Sequence, residues 1–265
     1  MKMLSVASGS SGNCIAICSD NTLVIVDTGI SRKRIEEGLN RNGMSLKDAS
    51  AILVTHEHSD HISGLGVVTR KDKIPVYSSS GTIDAILTQD SLGKLDKDLF
   101  NRINPDESFT IGDLEINPFR ISHDAADPVA YKVNSGNKSV AVATDMGTFT
   151  DYTIDNLKNV NALLVEANHD IRMLQTGPYP YYLKQRILSD RGHLSNERCG
   201  ELLSNILHDD LKKVFLGHLS KENNYDRLAY EAVRMEIKMS DNSYSADDFD
   251  IQVASRTEPS TYIEI

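Results

Sequence analysis

The feature that most constrains this chain is the segment His56-x-His58-x-Asp60-His61, which places four potential metal ligands side by side. It follows Ala51–Thr55, a short apolar run typical of a buried β-strand. On a loop that leaves a strand, residues two apart project to the same side, so His56 and His58 can share one ion. Asp60 and His61 then face a second ion. Because imidazole and carboxylate ligands together favour zinc, manganese or iron over calcium, the segment predicts a centre for two such divalent ions.

Three more candidate ligands, His123, Asp145 and His218, each follow a predicted strand later in the chain. Strand ends are where open α/β architectures gather their sites. Taken singly, a His or Asp after a strand is usually only a turn residue. Taken as a set in this order, they predict a complete binuclear centre, with His123 on the first ion, His218 on the second and Asp145 bridging both.

Strand-like segments occur in both halves of the chain, with helices between them, and this distribution predicts the architecture. The predicted strands are Met3–Ala7, Cys14–Cys18, Thr22–Val26, Ala51–Thr55, Pro75–Ser78, Ser108–Ile111, Leu114–Ile121, Val129–Asn134, Ser139–Thr144, Leu163–Glu166, Lys213–Leu216, Asp250–Ala254 and Thr261–Ile265. The predicted helices are Ser31–Asn42, one that begins near Asp60 as its N-cap, Ser80–Gln89, Asn196–Leu207 and Tyr225–Lys238. We therefore expect a single α+β domain over residues 1–265, a four-layer αββα sandwich in which two mixed β-sheets pack face to face with helices outside.

Charge and cysteine content restrict the partners and the compartment. The net charge is −10, so a nucleic-acid substrate requires local contacts and metal ions that neutralise phosphate, because a protein that binds by charge alone is usually basic. The three cysteines are odd in number and lack a Cys-x-x-Cys spacing, which predicts free thiols in the cytoplasm. No apolar run approaches the roughly 20 residues of a membrane span, and the first ten residues contain no signal-peptide segment.

The ligand order, together with Asp27-Thr28-Gly29, resembles the metallo-β-lactamase superfamily across nearly the whole chain. Four further segments resemble the YycJ (WalJ) family: Ser8–Asn13, Glu166–Asp170, Gly192–Asn196 and Gly217–Asn224. This resemblance implies a cytoplasmic, metal-dependent DNA nuclease with 5′-to-3′ exonuclease activity. It therefore also implies DNA as the substrate, which spacing and composition do not show.

Glu166-Ala167 and His193-Leu194-Ser195 are similar to the Glu-Ala-Thr and His-Ser-Thr segments of tRNase Z, which implies that His193 assists departure of the leaving oxygen. A carboxylate that orients an imidazole and raises its pKa makes it a better general acid, so we expect Glu166 and His193 to act as a pair. Asp60 is expected to accept the proton of the attacking water as well as to bind metal. The competing interpretation is that Glu166 caps a strand end and His193 lies in an exposed turn.

Substrate contacts are predicted in two places. The segment 172–191 mixes basic side chains with tyrosines, and these could bind phosphates and stack on bases, although a loop packed on the protein body has the same composition. The glycine-serine turn at 8–13 could offer backbone N–H groups to a phosphate, or it is only a tight connection. The candidate contacts are Ser10, Ser11, Asn13, Arg172, Tyr179 and Lys184.

The predicted reaction is phosphodiester hydrolysis by hydroxide formed at neutral pH, because two divalent ions lower the pKa of water toward ~7. The same hydroxide opens a thioester, so a glyoxalase II-like thioesterase or another small-molecule hydrolase is the first alternative. A non-catalytic metal-binding regulator is the second. The Glu166–His193 pair favours a nuclease, because an alkoxide leaving group benefits from an acid. The sequence does not identify protein partners.

Overall fold

The computed structural model describes residues 1–265, which form fourteen strands and nine α-helices. The strands are β1 Lys2–Ala7, β2 Cys14–Cys18, β3 Leu23–Val26, β4 Ala49–Leu53, β5 Val76–Ser79, β6 Phe100–Ile103, β7 Phe109–Ile111, β8 Leu114–Arg120, β9 Val129–Ser135, β10 Lys138–Ala143, β11 Ala162–Glu166, β12 Lys213–Gly217, β13 Asp250–Val253 and β14 Ile263–Glu264. The helices are α1 Arg32–Asn40, α2 Ser59–Ile62, α3 Leu65–Asp72, α4 Ser80–Leu87, α5 Asp151–Leu157, α6 Ile171–Thr176, α7 Tyr181–Ile187, α8 Asn196–Ile206 and α9 Asp226–Met239.

The strands form two sheets of seven strands each. The first sheet has the order β14-β1-β2-β3-β4-β5-β6, and the second has the order β13-β12-β11-β10-β9-β8-β7. Strands β3 to β6 are parallel and the rest of the first sheet is antiparallel. In the second sheet, β10 to β13 are parallel and the rest is antiparallel. The prediction of two mixed sheets is therefore confirmed.

Three separate apolar clusters show that the layers are stacked helix, sheet, sheet, helix. Strand β3 illustrates this, because Leu23 and Ile25 join the cluster beneath α1 and α3 while Val24 and Val26 join the cluster between the sheets. The third cluster lies between the second sheet and the helices α8 and α9. Alternation along a strand sends successive side chains to opposite faces, so each sheet is apolar on both sides.

Two helix starts differ from the sequence prediction. Helix α2 begins at Ser59 with His58 as its N-cap, so Asp60 is not the N-cap, and its carboxylate instead lies 3.2 Å from His218 Nε2. Helix α4 does begin at Ser80, but the capping side chain is that of Ser79, whose hydroxyl accepts from the backbone N–H of Thr82. The carboxylate of Asp60, which was predicted to cap α2, therefore lies among the candidate metal ligands instead.

The segment 172–191 is not the single loop of the competing interpretation. Helices α6 and α7 account for most of it, joined by a short turn that contains Pro178 and Pro180. Asp170 caps α6 by accepting from the backbone N–H of Met173. None of the nine helices combines the length and the apolar character that crossing a bilayer requires. All three cysteines are unpaired.

Candidate metal centre

The candidate ligands meet at one edge because they follow strands that end there. His56 comes after β4, Asp145 after β10 and His218 after β12. Asp145 and His218 adopt left-handed backbone conformations, with φ of 62° and 54°. Non-glycine residues rarely adopt this region, and its use at functional sites re-aims a side chain out of the regular strand direction.

The first ligand group consists of His56, His58 and His123, whose metal-binding atoms lie within 4.8 Å of one another. His58 Nδ1 lies 3.2 Å from His123 Nε2. His123 Nδ1 lies 3.0 Å from the carbonyl oxygen of Gly192, which can only accept, so Nδ1 carries the proton of the neutral ring. His123 Nε2 therefore presents a lone pair toward His58, as a metal ligand does.

The second ligand group consists of Asp60, His61 and His218. Asp60 Oδ2 is 3.2 Å from His218 Nε2 and 3.5 Å from His61 Nε2. The other ring nitrogen of His61 lies 2.7 Å from Asp27 Oδ2, buried in the turn after β3. A carboxylate behind a histidine fixes the ring and raises its basicity toward a metal.

Asp145 lies between the two groups. Its Oδ2 is 3.2 Å from His61 Nε2, and its Oδ1 is 3.4 Å from His218 Nε2 and 3.7 Å from His123 Nε2. The side chain is almost completely buried, at 2% exposure. A buried carboxylate between two sets of imidazoles has the position required of a bridging ligand.

Two buried atoms show that the cluster fits a cation. His56 Nε2 makes no hydrogen bond, although buried polar atoms are normally satisfied. Asp145 Oδ2 also makes none, although it lies 3.2 Å from His61 Nε2. Thr55 donates its hydroxyl proton to Asp27 and so can only accept from His56 Nδ1, which leaves His56 Nε2 as a bare lone pair. Burial and the neighbouring His61 ring hold the pKa of His56 well below its usual value, so this imidazole stays neutral. The donor set therefore fits divalent metal binding.

The structure brings Glu166 and His193 together at the edge of the cluster. Glu166 Oε1 lies 2.7 Å from His193 Nδ1 and 2.9 Å from His218 Nδ1, so one carboxylate oxygen orients both rings. Burial raises the pKa of Glu166, but the charge and hydrogen bond of His193, together with the hydrogen bond from His218, hold it below its usual range. Burial likewise lowers the pKa of His193, but the Glu166 carboxylate outweighs this effect and raises it above 6.5. His193 keeps Nε2 free and 19% of its side chain exposed.

The glycine-serine turn is largely occupied by internal hydrogen bonds. Asn13 Oδ1 accepts from the backbone N–H of Gly9, and Asn13 Nδ2 lies 3.3 Å from the Asp60 carbonyl and 3.1 Å from His61 Nε2. Asn13 therefore holds the ligand segment in place. Ser10 lines a cavity beside His193, whereas Ser11 borders a different one.

Most basic side chains of segment 172–191 are engaged within the protein. Lys184 donates to the carbonyls of Gln175 and Gly177, and Arg191 donates to the carbonyl of His123. Arg172 lies on the exposed side of α6, and Tyr179 lines the cavity beside His193. Segment 172–191 therefore holds the loop that carries His123, and it also borders the site.

Sequence reasoning missed two residues that contact the ligands. Asp124 Oδ1 lies 3.5 Å from His123 Nε2. Its position directly after the candidate ligand His123 in the sequence could have indicated this contact. Asn168 donates to the carbonyl of His218 at 2.8 Å, and nothing local in the sequence indicates that contact.

Comparison with known proteins agrees with this geometry. The family described as "Beta-lactamase superfamily domain" matches residues 22–218. Exodeoxyribonuclease YycJ of Bacillus anthracis is 40% identical over 228 residues, which cover 86% of this chain and 86% of the relative. Exodeoxyribonuclease WalJ of Streptococcus pneumoniae is 40% identical over 242 residues, 91% of this chain and 90% of the relative. The chain belongs to the YycJ/WalJ family of the β-lactamase superfamily.

Solved structures support the fold of this YycJ/WalJ family member. The metallo-β-lactamase fold protein YhfI from Bacillus subtilis superposes with a TM-score of 0.68 at 17% identity, covering 98% of each chain. Zn²⁺-bound PqqB from Methylobacterium extorquens superposes with a TM-score of 0.71 at 14% identity, covering 100% of each chain. The αββα prediction is confirmed as the metallo-β-lactamase fold.

Proposed function

We propose that this protein is a metal-dependent phosphodiesterase that removes nucleotides from DNA, an exodeoxyribonuclease working in the 5′-to-3′ direction. The observation that carries the proposal is the Glu166–His193 pair beside the ligand cluster, joined by a 2.7 Å hydrogen bond. The relatives at 40% identity are named exodeoxyribonucleases, which supports the same substrate and not a thioester. The complete ligand set also makes a non-catalytic regulator a poor alternative.

The two ligand groups, with Asp145 between them, would hold two divalent ions, and the mixed imidazole and carboxylate donors suit zinc, manganese or iron. When bound, such ions lower the pKa of water toward ~7 and offset the charge of the phosphate. This also resolves the difficulty of the net charge of −10, because the site's affinity for phosphate then does not depend on a basic surface. The three unpaired cysteines support a reducing compartment such as the cytoplasm.

The protein's own side chains would move the protons. As the oxygen of water bonds to phosphorus, Asp60 accepts the water proton, since its carboxylate is 23% exposed at the cluster. The bond from phosphorus to the leaving oxygen breaks, and that oxygen takes its electron pair together with the proton from His193 Nε2. Glu166 keeps His193 protonated at neutral pH by raising its pKa, and it holds the ring through Nδ1 so that Nε2 faces the substrate.

The test uses DNA and RNA labelled at the 5′ or 3′ end, with Mn²⁺ or Zn²⁺. Wild type should degrade DNA only with metal, releasing the 5′ label first as a small product. Asp60→Ala and His193→Ala should lose most of this activity. His208→Ala is the matched control, because His208 bonds the Val160 carbonyl outside the cluster. Absence of metal-dependent DNA degradation, with turnover of a thioester, would overturn the proposal.

A further inference from the structure

A small cavity opens beside His193, between the glycine-serine turn and helix α7. Its volume is about 160 Å³.

 

Sites that enclose drug-sized ligands measure roughly 300–1,000 Å³. The cavity beside His193 is therefore suited to a small group such as a phosphate, and not to a whole nucleotide.

The walls of this cavity are rich in hydrogen-bond donors. Ser10, Tyr179, Arg186 and Ser220 all line it, together with Asp124, whose carboxylate is paired with Arg186. Ser220 Oγ accepts from the backbone N–H of Asn223, so its own hydroxyl proton remains available. Hydroxyl groups and a guanidinium that face one small space match the acceptor oxygens of a phosphate.

Arg186 is held in place at the rim of the ligand cluster. Its Nε and Nη2 groups both bond the carboxylate of Asp124, while Nη1 is left free. The same carboxylate lies 3.5 Å from His123 Nε2, which ties the guanidinium to the first ligand group. A planar guanidinium fixed in this way is preorganised to bind a phosphate.

The position of the cavity indicates which phosphate it takes. His193 lines the cavity and, in the proposed function on which this inference rests, protonates the leaving oxygen. The cavity therefore lies on the side of the nucleotide that is released. We propose that it binds the terminal phosphate of that nucleotide through Arg186, Tyr179 and Ser220, so that the enzyme prefers phosphorylated DNA ends. For release from the 5′ end, this group is the 5′-phosphate.

The experiment compares single-stranded DNA that carries a 5′-phosphate, a 3′-phosphate or only hydroxyl ends. The value of kcat/KM and the metal content are measured for metal-loaded wild type, Arg186→Gln and Arg102→Gln. Arg102 is the matched control, since it forms an exposed ion pair with Asp84 on the edge strand β6. In a second arm, fluorescence anisotropy measures binding of phosphorothioate-linked DNA with and without the 5′-phosphate, which does not depend on turnover.

Wild type should prefer the 5′-phosphorylated end by about ten- to hundredfold, the effect of a charge-assisted hydrogen bond. Arg186→Gln should lose the preference at unchanged metal content, and Arg102→Gln should keep it. A preference for the 3′-phosphate that Arg186→Gln abolishes supports the cavity and reverses only the polarity. Equal use of all ends by wild type, or an unchanged preference in Arg186→Gln, overturns the inference while the nuclease function stands. If no DNA is degraded, the proposed function fails, and the binding arm alone decides whether the cavity takes a phosphate.

Discussion

The substitution Glu166→Gln tests how the buried carboxylate organises the site. Four hydrogen bonds end on Glu166: Oε1 accepts from two imidazoles, and Oε2 accepts from the backbone N–H groups of Met146 and Leu194 at 2.8 and 3.2 Å. Glutamine has the same shape, but its amide nitrogen cannot accept a hydrogen bond. In either orientation of the amide, two of the four donors lose their partner.

The expected cost follows from those two donors. A buried donor without a partner costs about 1–3 kcal/mol, so the free energy of unfolding should fall by about 2–6 kcal/mol. The pKa of His193 should fall as well, because the carboxylate that raises it is gone. A general acid contributes roughly 10²–10⁴-fold, and kcat for DNA at neutral pH should decrease by about that factor.

Urea unfolding of the metal-free protein measures the stability, and steady-state hydrolysis by the metal-loaded protein measures kcat. Glu231→Gln is the matched control, because Glu231 is exposed and lies 3.6 Å from Arg234. Its stability should change by less than about 0.5 kcal/mol. A loss of under about 1 kcal/mol in Glu166→Gln, or an unchanged kcat, would refute the reasoning.

Three further predictions concern His169, Asp27 and the cysteines. Burial lowers the pKa of His169 to about 4, so the unfolded chain takes up a proton first as pH falls below 6.5. The free energy of unfolding should therefore drop by about 1.4 kcal/mol per pH unit between about pH 6.5 and pH 4. Urea unfolding of His169→Gln over this pH range should show a smaller dependence of stability on pH. Asp27→Asn removes the carboxylate that bonds His61, and asparagine tolerates the left-handed backbone at this position. Competition with a chelator should show about 10–100-fold weaker metal binding in this variant. The control Asp20→Asn should show no such loss. Cys14 and Cys199 are buried, and burial raises the pKa of both thiols. A thiol-exchange reagent should therefore label only the partly exposed Cys18 in the native protein, and all three thiols after denaturation. Rapid labelling of all three thiols in the native protein would contradict the buried packing.

The convergence of the candidate ligands could be predicted because their sequence signals are local. His56, His58 and His61 lie close together in the sequence, so their spacing alone indicates a metal site. His123 and Asp145 follow apolar runs that predict strands. The two-sheet architecture follows from the same runs. Short elements that lack such periodicity, including β6 and the helix α5, were not predicted.

The contacts that hold the cluster together could not be predicted, because they join distant parts of the chain. Lys184 and Arg191 are basic residues in a segment near the site, and composition suggested that they bind phosphate. In the structure both bond backbone carbonyls, which only the folded arrangement shows. Asn168 donates to the carbonyl of His218 across 50 residues of sequence, and no local pattern encodes that contact.

The leaving-group dependence of His193→Ala tests the central claim most directly. Metal-loaded wild type and His193→Ala are compared on DNA and on the p-nitrophenyl ester of thymidine 5′-monophosphate, whose phenolate departs without a proton. Since His193 protonates the leaving oxygen in this account, the variant should lose about 10²–10⁴-fold on DNA and retain most of its rate on the aryl ester, at unchanged metal content. Equal losses on both substrates, or full activity on DNA, would contradict the account.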